Sequence, residues 1–187
     1  MRIVAGEFGG RVLTVPRHEL RPTTERVREA VMSMLGPYVP GALVLDVFAG
    51  SGAYGFEALS RGAAKVVFVE LDAGSCKTLE QNARTLKVEG RVTIHRGAAQ
   101  RWLPKLTDRF DLLFCDPPYD LDEAAPLLEA LAALATPTAH LLYEARAGAT
   151  LPVRAGRFGR SALRSYGTAQ VAVYADDEAA SDGPPYT

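Results

Sequence analysis

Along most of this chain, short and almost unbroken apolar runs alternate with longer stretches in which apolar positions return every three or four residues. The runs at 43–48, 65–70, 112–115 and 139–144, with a shorter one at 91–95, have the length of buried strands. Between them, residues 53–61, 73–87 and 122–135 carry helical spacing, the last rich in Ala and Leu. Strands that are apolar on both faces, separated by helices, predict an α/β fold with a parallel sheet covered on each side. Two late strands, near 161–166 and 169–175, have no helical stretch between them and are expected to close the sheet as a hairpin.

The N-terminal part follows a different pattern. Residues 2–6 and 11–15 are expected to pair as a small hairpin around Gly9 and Gly10. Arg21-Pro22-Thr23-Thr24-Glu25 reads as a helix start, since a threonine can cap and Glu25 lies where the helix dipole favours an acid. Val27, Val31, Met34 and Leu35 fall on one face of that helix, which Gly36-Pro37 ends. The expected organisation is an extension over 1–36, a sheet domain over 37–175, and a tail over 176–187 that is too acidic and too poor in apolar residues to order itself.

Composition narrows the class. The chain has 187 residues, 48% hydrophobic and 23% charged, as in an ordinary globular domain. Its two cysteines, Cys76 and Cys115, form no C-x-x-C pair, which argues against a disulfide framework or a cysteine-rich zinc site and suits a reducing cytoplasm. No apolar run reaches the ~20 residues of a membrane-spanning helix. The acid at Glu7 comes too soon for a secretion signal. Net charge is −1, but it is unevenly spread. Residues 1–28 hold six arginines against three glutamates, and 151–174 hold Arg154, Arg157, Arg160 and Arg164 with no acid. Such flanks are either solvated loops or a footprint for phosphate.

Candidate chemistry begins after the first strand of the sheet, at Asp46-Val47-Phe48-Ala49-Gly50-Ser51-Gly52-Ala53-Tyr54-Gly55. Ligands of open parallel sheets bind beyond the carboxyl ends of the strands, where glycines admit a close backbone approach. Gly50-x-Gly52-x-x-Gly55 matches the dinucleotide fingerprint. An acid just before the first glycine is, however, an odd companion for a pyrophosphate and a sensible one for a cation such as S-adenosylmethionine. Glu70 ends the second strand, where a carboxylate can take both ribose hydroxyls of either cofactor. Asp72 reads as the solvated acid of a helix start.

Asp116-Pro117-Pro118-Tyr119 follows the fourth strand and lies at the same edge of the sheet. The two prolines stiffen the backbone and remove two donors, leaving the Asp116 carboxylate and the Pro117 carbonyl as a rigid row of acceptors beside an aromatic face. That arrangement suits an exocyclic amine on a planar base. Pro184-Pro185-Tyr186 follows no strand and carries no such meaning. His18, His95 and His140 are expected to be non-catalytic, and no metal-ligand spacing occurs.

Taken with Arg2-Ile3-Val4-Ala5-Gly6, Gly10-Arg11, the block from Arg21 to Glu29 and Glu57-Ala58-Leu59-Ser60-Arg61-Gly62, these motifs resemble the bacterial 16S ribosomal RNA guanine-N2 methyltransferases from residue 2 to about 175. The resemblance implies a Rossmann-like class I methyltransferase fold, with a seven-stranded sheet of order 3-2-1-4-5-7-6 whose seventh strand is antiparallel. It implies methyl transfer from S-adenosylmethionine to N2 of guanine 966 of 16S rRNA. S-adenosylhomocysteine is the implied product. The implied cofactor residues are Asp46, Phe48, Gly50, Gly52, Glu70, Leu71, Ala98 and Asp116, and the implied catalytic residues are Asp116, Pro117 and Tyr119. RNA contacts fall to Arg11, Arg21, Thr23, Arg26, Arg28 and Tyr119, with help from 154–164. The expected partner is 16S rRNA, free or within a small-subunit assembly particle, for a cytoplasmic monomer. One position departs from the family pattern: Ala98 stands where an Asp or Asn often meets the adenine amine. Adenine-N6 or cytosine-N4 methylation of RNA or DNA, nicotinamide-dependent hydride transfer and noncatalytic RNA binding are the alternatives. A clear Tyr-x-x-x-Lys pair for hydride chemistry is missing, and a separate DNA-recognition domain has no room.

Overall fold

The computed structural model describes residues 1–16, 25–119, 121 and 124–176. In chain order the elements are α1 (Glu25–Met34), β1 (Leu43–Val47), α2 (Ala53–Ser60), β2 (Lys65–Glu70), α3 (Ala73–Leu86), β3 (Val92–Arg96), α4 (Ala99–Trp102), β4 (Phe110–Cys115), α5 (Ala124–Ala132), β5 (Ala135–Arg146), β6 (Arg154–Ala155), β7 (Phe158–Tyr166) and β8 (Ala169–Asp176). They build one sheet of eight strands in the order β3-β2-β1-β4-β5-β8-β7-β6. Strands β1 to β5 are parallel, and β8 runs antiparallel to both β5 and β7. The seven-stranded order expected from the sequence is present in β1–β5, β7 and β8. The eighth strand, β6, is a two-residue edge pairing with β7 and leaves no hydrophobic run to read.

Each face of the sheet has its own core. Val44, Phe68, Phe114, Leu142 and Val173 meet Val27, Val31, Met32, Phe56, Leu59 and Leu79 from α1, α2 and α3. Leu45, Val69, Leu113, Leu141 and Tyr174 meet Leu103, Leu127, Leu128 and Leu131 on the other side. This two-sided burial is why the central strands carry apolar residues at nearly every position. Each fully buried Leu or Phe contributes about 1.5–3 kcal/mol over an exposed one. Helix α2 lies close to the sheet because Gly55 has no side chain, since a Cβ there would come within 2.4 Å of the Phe68 ring.

The N-terminal hairpin is present but shorter than its sequence suggests. Ile3 N donates to Arg11 O at 3.0 Å, Gly10 N to Ile3 O at 2.9 Å and Leu13 N to Met1 O at 2.7 Å, with an antiparallel bridge between Arg2 and Val12, but the pairing goes no further along the first arm than Ile3. The reason is Glu57 of α2, which is fully buried and accepts from Val4 N at 2.8 Å and Ala5 N at 3.1 Å. Those donors are diverted from any partner strand. Arg28, expected to reach RNA, is buried too: its Nε lies 3.6 Å from Glu57 Oε2 and its Nη2 donates to Arg2 O at 2.6 Å. A carboxylate this deep needs cations, and Arg28 and Arg61 are committed to it. The helix face therefore buries Val27, Arg28, Val31 and Met32, while Met34 is only partly covered.

Three boundaries move. The fourth helix of the pattern, expected over 122–135, is Ala124–Ala132, because Ala135 already pairs with Phe110 in the sheet. The strand expected over 139–144 spans Ala135–Arg146. Asp176, assigned to the tail, ends β8 and is held by the Arg157 guanidinium. Residues 177–187, where a disordered tail is expected, lie outside the described residues, as do Arg21, Thr23 and His18. Among the described residues, no helix is long and apolar enough to cross a membrane.

Candidate active site

The parallel register brings acids from four neighbouring strands to one edge of the sheet. Asp46 of β1 sits opposite Phe68 of β2 and Phe114 of β4, two residues before Glu70 and Asp116 respectively. Cys115 is paired with Tyr143, so Asp116 leaves the sheet beside Glu144 of β5. Side chains alternate across a strand, so Glu70, Asp46, Asp116 and Glu144 share the face that carries Phe68, Phe114 and Leu142. Sequence reading found the first three. It missed Glu144, although an acid at the carboxyl end of an apolar strand is the same signal that identifies Glu70.

The turn after β1 is shaped by these carboxylates. Phe48 takes φ 61, which is uncommon for a residue with a side chain, and its ring packs against the core on the opposite face. Gly52, at φ 78, caps α2 in the left-handed region that only glycine adopts cheaply. Gly50 N donates to Glu70 Oε2 at 2.8 Å, and Asp72 N donates to Glu70 Oε1 at 2.8 Å. Each Glu70 oxygen keeps capacity for a further donor, as two ribose hydroxyls require. Asp72 caps α3 by accepting from Ser75 N at 2.7 Å, the helix-start role read from its sequence position.

Asp46 is buried, and its Oδ2 accepts from Gly55 N at 2.9 Å. Burial holds its carboxyl well above the usual range; the Gly55 bond opposes this, and Asp116 and Glu70 add to it. The Gly55 bond also bears on the ligand. A pyrophosphate would need the amides at the start of α2, and there the structure sets a carboxylate instead.

Tyr54 reaches across the sheet. Its ring stacks on Phe114 with centroids 5.0 Å apart and 10° between planes, and its hydroxyl donates to Glu144 Oε2 at 2.9 Å. Burial, with the Asp116 charge next, raises the Glu144 carboxyl to about 8, while the Tyr54 bond opposes the rise. Tyr54 and Cys115 are raised as well, again first by burial. At the mouth, Asp116 and Tyr119 are half-buried, Pro117 is buried and Pro118 is exposed.

The remaining predicted residues divide. Leu71 is 65% exposed beside Glu70, an apolar face open to a flat ring. Gly97 N donates to Glu70 O at 2.8 Å, which sets Ala98 in the loop next to the second strand. Asn82, which sequence reading passed over, is buried and ties the N-terminal segment to the glycine turn: it accepts from Thr14 N at 2.9 Å and donates to Ser51 O at 3.2 Å. Arg11 and Arg26 are exposed, and Arg11 lies over the Phe8 ring. Arg154, Arg157 and Arg164 are exposed at the far edge of the sheet, where Asp176 engages Arg157. His140 is buried against Tyr38 and lowered to about 4 by that burial. His95 stacks on Trp102.

Comparison with known proteins gives concordant results. The family described as conserved hypothetical protein 95 matches residues 1–175. YlbH of Bacillus subtilis, which bears a provisional rRNA methyltransferase name, is 34% identical over 180 residues, covering 93% of this chain and 98% of that protein. Ribosomal RNA small subunit methyltransferase D of Escherichia coli K12 is 41% identical over 133 residues, covering 69% of this chain and 67% of that protein. The solved structure of yhhF from Escherichia coli, provisionally named a methyltransferase, superposes with a TM-score of 0.85 at 32% identity, covering 94% of this chain and 97% of that one.

Proposed function

This chain belongs to the family of the ribosomal RNA small subunit methyltransferase D proteins, and on that footing we propose that it transfers a methyl group from S-adenosylmethionine to the exocyclic N2 of guanine 966 in 16S rRNA. The observation that carries this reading is the acid row at one sheet edge, with the rigid Pro117-Pro118-Tyr119 segment following Asp116. Clustered carboxyls suit a ligand with cationic groups, and the Asp46 carboxylate at the start of α2 favours such a ligand over a dinucleotide.

When bound, S-adenosylmethionine supplies a methyl group activated by its sulfonium. Glu70 would accept from its ribose, Leu71 would cover its adenine and the loop at Ala98 would meet the adenine edge through backbone groups. Asp46, Phe48, Gly50 and Gly52 flank the methionine end. Asp116 and the Pro117 carbonyl accept the two N2 hydrogens, and the Tyr119 ring stacks on the base. Guanine N2 is a weak nucleophile because its lone pair is delocalised into the ring. As it attacks, positive charge develops on it, and the fixed carboxylate and carbonyl stabilise that charge without reorganising. Holding the cofactor and the base side by side at this sheet edge would lower the barrier further. The extra proton leaves N2 after transfer, so no strong base is needed.

Residues 1–36 act as the RNA-facing extension of the methyl-transfer domain at 37–175. Its segment around Thr14 borders the glycine turn through Asn82, which supports that role. Arg11, Arg21, Thr23 and Arg26, with the exposed arginines of β6 and β7, face phosphate, and the protein works as a monomer in the cytoplasm. Incubating the purified chain with methyl-labelled S-adenosylmethionine and either unmodified 16S rRNA or small-subunit particles tests the reading. Label recovered as N2-methylguanosine supports it. Label recovered as N6-methyladenosine or N4-methylcytidine replaces the substrate.

A further inference from the structure

Glu144 is the one member of the acid row that the mechanism above does not use. It is 5% exposed, and the described groups that face it are few. Tyr54 donates to it from α2, and Asp116 acts on it from the end of β4, with Asp46 of β1 beyond. On the β8 side its cross-strand neighbour is the apolar Val171, and Arg146, two residues along β5, is exposed. A purely structural partner for the Tyr54 hydroxyl could be a glutamine, which accepts the same bond without a charge to bury. A carboxyl placed here next to Asp116 costs stability at neutral pH, and that cost has a use only if the group titrates.

We propose that Glu144 is a proton-holding positioning residue that acts through Asp116, keeping its proton in the ligand-free protein and releasing it to solvent when a cationic ligand settles against the acid row. The inference rests on the reading of the site as one for S-adenosylmethionine. Its geometric basis is the succession Glu70, Asp46, Asp116 and Glu144 across four adjacent strands, with Tyr54 reaching over β4 to the last of them. Asp116, the more open of the two neighbours, must stay an anion to hold the base amine. The buried Glu144 then carries a proton until a sulfonium takes its place, alongside Asp46, and burial with the nearby Asp116 charge raises its carboxyl accordingly.

The cycle closes with charges and atoms balanced. Binding converts Glu144–COOH to Glu144–COO⁻ and one proton in solvent. Methyl transfer breaks the sulfur–carbon bond and forms the nitrogen–carbon bond, leaving a neutral thioether and one proton displaced from N2. With the sulfonium charge gone, Glu144 takes up one proton again. The base stays in contact with Asp116 throughout, and Glu144 touches neither substrate.

The test is calorimetric titration of the full chain near pH 7.5 in buffers of different ionisation enthalpy, which counts protons exchanged on binding. S-adenosylmethionine is compared with S-adenosylhomocysteine, a neutral thioether. The expected result is release of about half to one proton for the sulfonium and clearly less for the thioether. In Glu144→Gln that difference shrinks by at least about half, what is left coming from Asp46, with affinity kept within about threefold because the Tyr54 bond survives. Equal release for both ligands in the wild type, or an unchanged difference in the variant, overturns the proposal. A second measurement needs no ligand. Infrared difference spectra between about pH 6 and pH 10 should show protonated carboxyl absorption that is clearly weaker in Glu144→Gln, the remainder belonging to Asp46. Its absence from the wild type overturns the proposal and leaves the methyl-transfer reading standing. Failure of both ligands to bind overturns that reading together with the proposal.

Discussion

Gly50 N donates to the Glu70 carboxylate at 2.8 Å, so the acid that closes β2 also shapes the glycine turn that follows β1. On the proposed function Glu70 has two tasks, shaping this turn and accepting from the ribose, and its substitutions test both. Glu70→Ala should lower affinity for S-adenosylhomocysteine by roughly 10- to 100-fold, the worth of a charged hydrogen bond at about 1.5–3 kcal/mol. Glu70→Gln should be no milder, because one end of its amide turns a donor toward the Gly50 or Asp72 N–H. Calorimetric binding checks both, and a glutamine variant with near wild-type affinity would contradict the double role.

Further along the row, Asp116→Ala should reduce turnover by roughly 10²–10³-fold, as when one preorganised electrostatic partner is deleted. Thermal stability should hold or rise, since an acid crowded among other acids does not stabilise the fold. Tyr119→Ala should lose base stacking worth about 1–3 kcal/mol. Tyr119→Phe should be nearly silent, because the proposed role uses only the ring. Single-turnover rates give the comparison, and a Phe variant as slow as the Ala variant would move the chemistry to the hydroxyl.

Two arginines of α1 should behave in opposite ways. Arg26 is exposed, and replacing it together with Arg11, Arg154 and Arg164 should flatten the salt dependence of RNA binding while leaving the fold intact. Arg28 is sealed against Glu57. Arg28→Ala should destabilise the chain by up to about 3 kcal/mol, since it removes one of the two cations held by a buried carboxylate and leaves Arg61 as the other. Denaturant melts and filter binding at several salt concentrations distinguish the two outcomes.

Stability should depend on pH through Glu144. Burial and Asp116 raise its carboxyl from 4.5 to about 8. Between those values the folded chain holds a proton that the unfolded chain has lost, so stability falls as pH rises through the window and is recovered below it. The slope reaches about 1.4 kcal/mol per pH unit for one such group. Asp46 adds to the same trend, so the informative quantity is the difference between variants. Urea midpoints in that window should fall more steeply for the wild type than for Glu144→Gln, and parallel slopes would contradict the assignment.

Much of this architecture is legible in the amino-acid order. Runs such as Leu112–Cys115 are apolar on both faces because the sheet is covered on both, and Asp46, Glu70 and Asp116 stand out as acids at the ends of such runs. What escapes is whatever depends on a distant partner. Arg28 reads as surface charge until Glu57, on another helix, draws it inward. The N-terminal hairpin stops at Ile3 because the same Glu57 takes the Val4 and Ala5 amides. Tyr54 and Glu144 meet only because β5 lies next to β4, which no local pattern reveals.

The central claim is methyl transfer to guanine N2 by the segment that begins at Asp116. Mass spectrometry of nuclease-digested 16S rRNA from a strain lacking this gene tests it most directly. The account predicts that the methyl group on guanine 966 is missing, returns with the wild-type gene, and does not return with Asp116→Ala. A methylated guanine 966 in the deletion strain, or full restoration by the Asp116→Ala gene, would contradict it.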